Sequence, residues 1–185
     1  MVNNEYKIFI NSDDYVLCET YAKNMSCHSK PGTYGSGLLN NKNDPYKTER
    51  TGKLGEMALS KLLKLDVDGE YRKYGDEYDF KVKNCKIDIK TKSPNNYINK
   101  TGYITAINEN GYKLPLKSNI YVFCYLEYDD VVNKNAVVII QGWIHSDEIT
   151  NLIPVPSPLR YAKHKNYEID LTKLKPIDEL LLFLN

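Results

Sequence analysis

Residues 78–92, YDFKVKNCKIDIKTK, alternate with period two on both sides of Lys83-Asn84, a pattern that commits the stretch to two antiparallel strands joined by a tight turn. Asn84 is the residue of that pair that tolerates a left-handed backbone. With the turn there, the register follows: Val82 opposite Cys85, Phe80 opposite Ile87, Asp79 opposite Asp88. One face carries Tyr78, Phe80, Val82, Cys85, Ile87 and Ile89 and is a core face. The other carries Asp79, Lys81, Lys86, Asp88 and Lys90. Two carboxylates facing each other at about 4.5–5.5 Å between Cβ atoms destabilise a sheet, so the arrangement asks for a positive charge between them, and a divalent cation fits. Lys90 projects from the same face about 6.8 Å beyond Asp88. An ammonium there can orient a water and neutralise charge developing on a phosphoryl group. Asp-x-Lys also fits a polar strand face turned to water in a chain with 25 Lys+Arg and 24 Asp+Glu.

The 185 residues suit a single domain with a real core. A formal net charge of +1 advertises no polyanionic partner, so any nucleic-acid surface must come from local clustering. Cys18, Cys27, Cys85 and Cys124 contain no C-x-x-C pair, and with His28, His145 and His164 as the only histidines a zinc site is disfavoured. Cys85 and Cys124 fall inside apolar strand patterns, as reduced core thiols do. No secretory leader and no run of about 20 apolar residues is present, so the chain reads as cytoplasmic and without a membrane span.

Residues 6–10 read as a short strand, and Ser12 as the cap of a helix to about Asn24, with Val16, Leu17, Tyr21 and Met25 on its buried side. Residues 26–43, rich in Gly, Ser, Asn and Pro, read as a long loop. A second helix starts near Asp44-Pro45 or Thr51 and runs to Leu65, with Leu54, Ala58, Leu62 and Leu65 in one stripe. Its apolar positions cover so much of the circumference that Glu56 is expected to point toward protein, the other reading being a rim glutamate in a good helix-forming position. Glu70 to Tyr74 read as a strand before the hairpin. Residues 97–118 fit a loop, a ragged strand pair or a short helix. Residues 120–126 and 136–143 are buried strands, followed by a brief helix at 146–150 capped by Ser146. Pro154, Pro156 and Pro158 stiffen residues 151–165; a last strand at 167–171 and a closing helix with Ile177, Leu180, Leu181 and Leu184 on one face complete the chain. The organisation is one domain: an extension over 1–45, a core over 46–150, and a connector and helix over 151–185.

A helix bearing Gly55-Glu56, a short strand, Asp79 on a second strand and Asp88-Ile89-Lys90 on a third: this order resembles the PD-(D/E)XK nuclease superfamily over about residues 50–92. Gly52-Lys53-Leu54-Gly55-Glu56 and Gly142-Trp143-Ile144 are also similar to small nucleases of that superfamily carried by bacteriophages and mobile elements. The resemblance implies an α/β (α+β) fold with a restriction-endonuclease-like αβββαβ core, a central mixed sheet flanked by helices. It implies Mg²⁺ or Mn²⁺ held by Asp79, Asp88 and the carbonyl of Ile89, Glu56 binding a metal or its water, and Lys90 positioning the attacking water. It implies DNA as partner, with Thr91 and Lys92 touching phosphates near the cut. Tyr78 stands where the motif's name has proline, and Asp88 is the less usual acid at its position. Lys53, Lys61, Lys64, Lys81, Lys86, Lys92, Arg160, Lys163 and Lys165 are candidates to track the DNA backbone, and Tyr34, Tyr97 and Tyr103 to stack on bases. The expected activity is metal-dependent hydrolysis of a DNA phosphodiester. The alternatives are a structure-selective resolvase of branched DNA, acting as a homodimer, and a DNA-binding module that does not cut.

Overall fold

The computed structural model describes residues 5–28, 44, 46–67, 69, 77–93, 100–158 and 162–184. The period-two stretches form β1 (Tyr6–Ile10), β2 (Phe80–Val82), β3 (Cys85–Lys92), β4 (Thr101–Ile107), β5 (Ile120–Asp130), β6 (Asn135–His145), β7 (Val155–Pro156) and β8 (Lys165–Asp170). The helices are α1 (Ser12–His28), α2 (Lys47–Leu63), α3 (Ser146–Thr150) and α4 (Ile177–Leu184). The architecture is mixed α/β. A five-stranded sheet, β1-β6-β5-β3-β2, lies between a helical layer and a three-stranded sheet, β4-β8-β7. Ile87, Ile89, Ile120, Val122 and Val138 pack against α1, α2 and α4 on one face, while Tyr121 and Phe123 on the other meet Ile104, Tyr167 and Ile169. Alternation along β5 thus feeds two cores from one strand.

The hairpin has the expected register, Val82↔Cys85, Lys81↔Lys86 and Phe80↔Ile87. The left-handed turn residue is Lys83, at φ 53°, rather than Asn84. β3 runs parallel to β5, which requires a long crossover. Residues 93–119 supply it, and among the described residues they carry β4, a strand of the second sheet, where an αβββαβ order would have a helix. The expected strand at 70–74 and the loop residues 29–43 lie outside the described residues.

Three further expectations change. Asn11, not Ser12, caps α1, its side chain accepting the Asp14 N–H at 3.0 Å. α1 buries Tyr15, Cys18 and Ala22 and leaves Val16 and Leu17 exposed, because the Tyr15 hydroxyl reaches inward to Asp129 at 2.6 Å. α3 is capped by His145, whose ring accepts the Asp147 N–H while Glu148 accepts the His145 N–H. The closing helix is as expected, with Ile177, Leu180 and Leu184 buried. Among the described residues no helix is long and apolar enough to cross a membrane.

α2 is the helix that matters for the site, and it is pinned at two points. Near its start, Arg50 is buried at 2 % exposure and meets Asp44 at 2.6 and 3.1 Å and Asp129 at 3.2 Å. At mid-helix, Gly55 lies against β3 so closely that a Cβ would fall 1.8 Å from the Thr91 hydroxyl oxygen. Gly55→Ala gains about 1 kcal/mol of helix propensity, but overpacking costs about 1–3 kcal/mol or more. A net loss of stability is expected in chemical denaturation, much of it recovered by adding Thr91→Ala; a stabilised Gly55→Ala would show that the two elements are not in contact. A second close approach occurs at Gly142, at φ 151°, where a Cβ would meet the Lys175 carbonyl at 2.6 Å. That contact lets Lys175 pair with Trp143 through two backbone hydrogen bonds and closes α4 over the sheet.

Candidate active site

The site forms where β2 leaves β3. Asp79 lies just outside β2, and its N–H donates to the Ile87 carbonyl at 2.9 Å, so two successive residues, Asp79 and Phe80, sit against Ile87. Such a bulge breaks the ladder. Asp79 and Asp88 are therefore not cross-strand partners, contrary to the register expected from alternation alone. The Asp79 carboxylate instead takes the place of the missing strand and accepts the Ile89 N–H at 2.6 Å. The N–H and C=O of one strand residue point to the same side, so the Ile89 carbonyl also turns toward this gap.

A carboxylate in the plane of the sheet feels charges on both faces. Burial, and next the charge of Asp88, push the Asp79 carboxyl up to about 6, while the Ile89 N–H, Lys90 and Lys53 pull it back. Asp88 and Lys90 project to the face of Tyr121, and Lys90 Nζ is 2.6 Å from Asp88 Oδ2. That oxygen is buried and has no aligned hydrogen-bond donor. Burial alone would lower Lys90, but the adjoining Asp88 raises it above an ordinary lysine, so it is held as a cation. From the other face α2 brings Lys53 and Glu56, both buried and 2.7 Å apart. Glu56 thus points into protein, as expected.

The hairpin brings Asp79, Asp88, Ile89 and Lys90 together, and α2 adds Lys53, whose charge reaches Asp79 and whose ammonium is paired with Glu56. Among the described residues no three acidic, histidine or cysteine side chains are grouped to hold an ion. The donors that could hold a metal are the Asp79 and Asp88 carboxylates and the Ile89 carbonyl, an all-oxygen set of the type a hard cation prefers. A cation there would have to share Asp88 Oδ2, which is buried and lies 2.6 Å from Lys90 Nζ.

The expected backbone-tracking residues separate. Lys53 is buried against Glu56 rather than turned to solvent, and the Thr91 hydroxyl is buried against Gly55. Lys61 pairs with Asp14 at 2.5 Å and Lys86 with Glu77 at 2.8 Å. Lys81 and Lys163 are exposed, and Lys92 is half-buried, with burial lowering its pKa. Arg160, Tyr34 and Tyr97 lie outside the described residues. Tyr103 lines an open cleft of about 680 Å³ beside Lys90 and Lys92, with the buried His164 and Asn166. Sequence reasoning missed the last two, and also Tyr121, because a buried polar residue in or beside a strand leaves no periodic signal. Compared with protein-family models, with curated proteins and with solved structures, the chain finds no match.

The position of Asp79 makes its charge costly in the metal-free protein. Its folded-state pKa near 6 lies above the unfolded value of about 3.9. Below about pH 4 both states hold the proton and nothing is lost; the penalty on the folded state grows as pH rises from about 4 to about 6 and is complete above that. Asp79→Asn is expected to melt with the wild type near pH 4 and to be more stable by about 1–3 kcal/mol near pH 8, in EDTA. Equal stability at both pH values would mean that the carboxylate is not desolvated.

Proposed function

We propose that this chain is a Mg²⁺- or Mn²⁺-dependent DNA endonuclease of the restriction-endonuclease-like kind, hydrolysing phosphodiester bonds. The observation that carries the reading is the gap between β2 and β3, where the Asp79 carboxylate, the Ile89 N–H and Lys90 beside Asp88 converge. A cation held by Asp79, Asp88 and the Ile89 carbonyl would supply a Lewis acid and a water of lowered pKa. Lys90, kept protonated by Asp88, would offset the charge that grows on the phosphoryl oxygens. Lys53 fixes Glu56 through a buried ion pair, which keeps Glu56 oriented rather than solvated. Tyr121 closes the floor beneath Asp88 and Lys90 and accepts the Ser118 N–H at 3.5 Å.

The competing reading, a DNA-binding module that does not cut, draws on the direct Asp88–Lys90 ion pair, which satisfies both charges without a metal. Incubation with supercoiled plasmid in Mg²⁺, Mn²⁺ or EDTA separates the two. Nicking with either metal and none in EDTA is expected; retained binding without nicking under any metal would favour the binder.

A further inference from the structure

The geometry points to the cleft beside Lys90 as a subsite for a single unpaired nucleotide of the substrate strand, an inference that rests on the nuclease reading for its biological meaning but not for its binding chemistry. The cleft of about 680 Å³ runs from the end of β3 to β4 and β8. Its volume lies in the range of sites that enclose one small molecule, about 300–1,000 Å³. Among the described residues that line it there is no Asp or Glu; Lys90, Lys92, His164, Asn166 and several Ser and Thr hydroxyls do so instead. Lys90 is paired with Asp88, which does not itself line the cleft, and Lys92 with the hydroxyl and amide donors gives the lining a preference for an anion rich in acceptor oxygens, of which a phosphate ester is one. Tyr103 and Phe123 add aromatic surface, which a free phosphate does not need and a nucleobase stacks on. Asn166, 4 % exposed, offers a donor and an acceptor together, the pair that reads a base edge.

A base within a duplex cannot enter a cleft of this size while it remains stacked. Extruding it costs a few kcal/mol, and least where the nucleotide is already unpaired. The cleft opens next to Lys90, so the nucleotide it takes is the neighbour of the phosphate that Lys90 faces. Lys92 is half-buried, and burial lowers its pKa; a bound phosphate would favour its charged form. The substrates selected are single strands, overhangs and branch points rather than continuous duplex.

The test is calorimetric titration of the full chain, in EDTA, with a 5′-deoxynucleoside monophosphate, with inorganic phosphate and with the matching nucleoside. The nucleotide is expected to bind about tenfold or more tightly than either fragment, and Lys92→Ala to weaken it by about tenfold. Thr105→Glu, at an exposed position on the cleft wall, introduces a negative charge without disturbing the core and should abolish binding. A duplex with an unpaired overhang should bind about tenfold more tightly than the blunt duplex, and Thr105→Glu should erase the difference. Absence of nucleotide binding, phosphate bound as tightly as nucleotide, or unchanged affinity in both variants overturns the subsite. Chelation of metal separates the two readings: plasmid nicking without nucleotide binding removes only the subsite, and nucleotide binding without nicking removes only the nuclease.

Discussion

Asp88→Asn and Lys90→Ala are each expected to reduce metal-dependent cleavage by about 10²–10³-fold, and to do so for different reasons. Asp88 is the carboxylate whose Oδ2 is buried with only an ammonium beside it. On the proposed function an amide there would remove a metal ligand, so the variant should lose both cleavage and the rise in melting temperature expected of the wild type with Mg²⁺. On the same reading Lys90 would contribute a positive charge toward the phosphate, not a ligand. Its removal leaves Asp88 without its counter-charge and gives a cation more to neutralise, so Lys90→Ala should keep or enlarge the Mg²⁺-dependent thermal shift while losing cleavage. Cleavage by both variants at the wild-type rate would remove this site from consideration. Loss of the thermal shift in Lys90→Ala would mean that the lysine holds the site's shape rather than the reacting phosphate.

Arg50→Ala is expected to be the most destabilising single substitution in α2, costing about 3–5 kcal/mol. The guanidinium is buried among Asp44, Asp129 and the ring of Tyr15, whose centroid is 5.8 Å away. Truncation leaves the Asp129 carboxylate, itself nearly buried, with only the Tyr15 hydroxyl, and an unpaired buried charge is far worse than no charge at all. For a chain of this length the melting temperature should fall by roughly 10 °C. Arg50→Lys keeps the charge but not the fork that meets Asp44 with two nitrogens, and should recover only part of the loss. Although burial alone would raise it, Arg50 holds the Asp44 carboxyl below the ordinary range, so this contribution is present at neutral pH and is lost as the medium becomes acidic enough to protonate Asp44. A melting temperature in Arg50→Ala within a degree or two of the wild type would show that α2 is held by its apolar contacts alone. Because Thr48 and Thr51 of the same helix line the cleft, the variant should also weaken any nucleotide binding of the kind proposed there.

The hairpin shows where reading from sequence succeeds and where it stops. Alternation predicts which side of each strand is apolar, and Phe80, Ile87 and Ile89 are buried where it places them. It predicts register as far as the strands stay paired, which is to Phe80↔Ile87. One residue further on, the bulge at Asp79 moves the acid from a strand face into the ladder itself, and nothing in the local pattern announces it. The partner that holds it there, the Ile89 N–H, is a backbone group with no side-chain signature. α1 fails for a similar reason: its apolar residues fit more than one buried stripe, and the choice is made by Asp129, more than a hundred positions away.

The sequence by itself determined the hairpin, the helix that carries Gly55-Glu56, the strands at 120–126 and 136–143 and the apolar face of the closing helix, because each is specified by a period that neighbouring residues enforce on one another. Tertiary structure alone decided that β3 and β5 run parallel with β4 diverted into a second sheet, that Lys53 is a buried partner of Glu56 rather than a surface cation, and that His164 and Asn166 meet Lys92 at one cleft. Those outcomes depend on which surfaces meet across long stretches of chain, and burial, the quantity that turns a lysine from a DNA contact into an ion-pair partner, exists only once they have met.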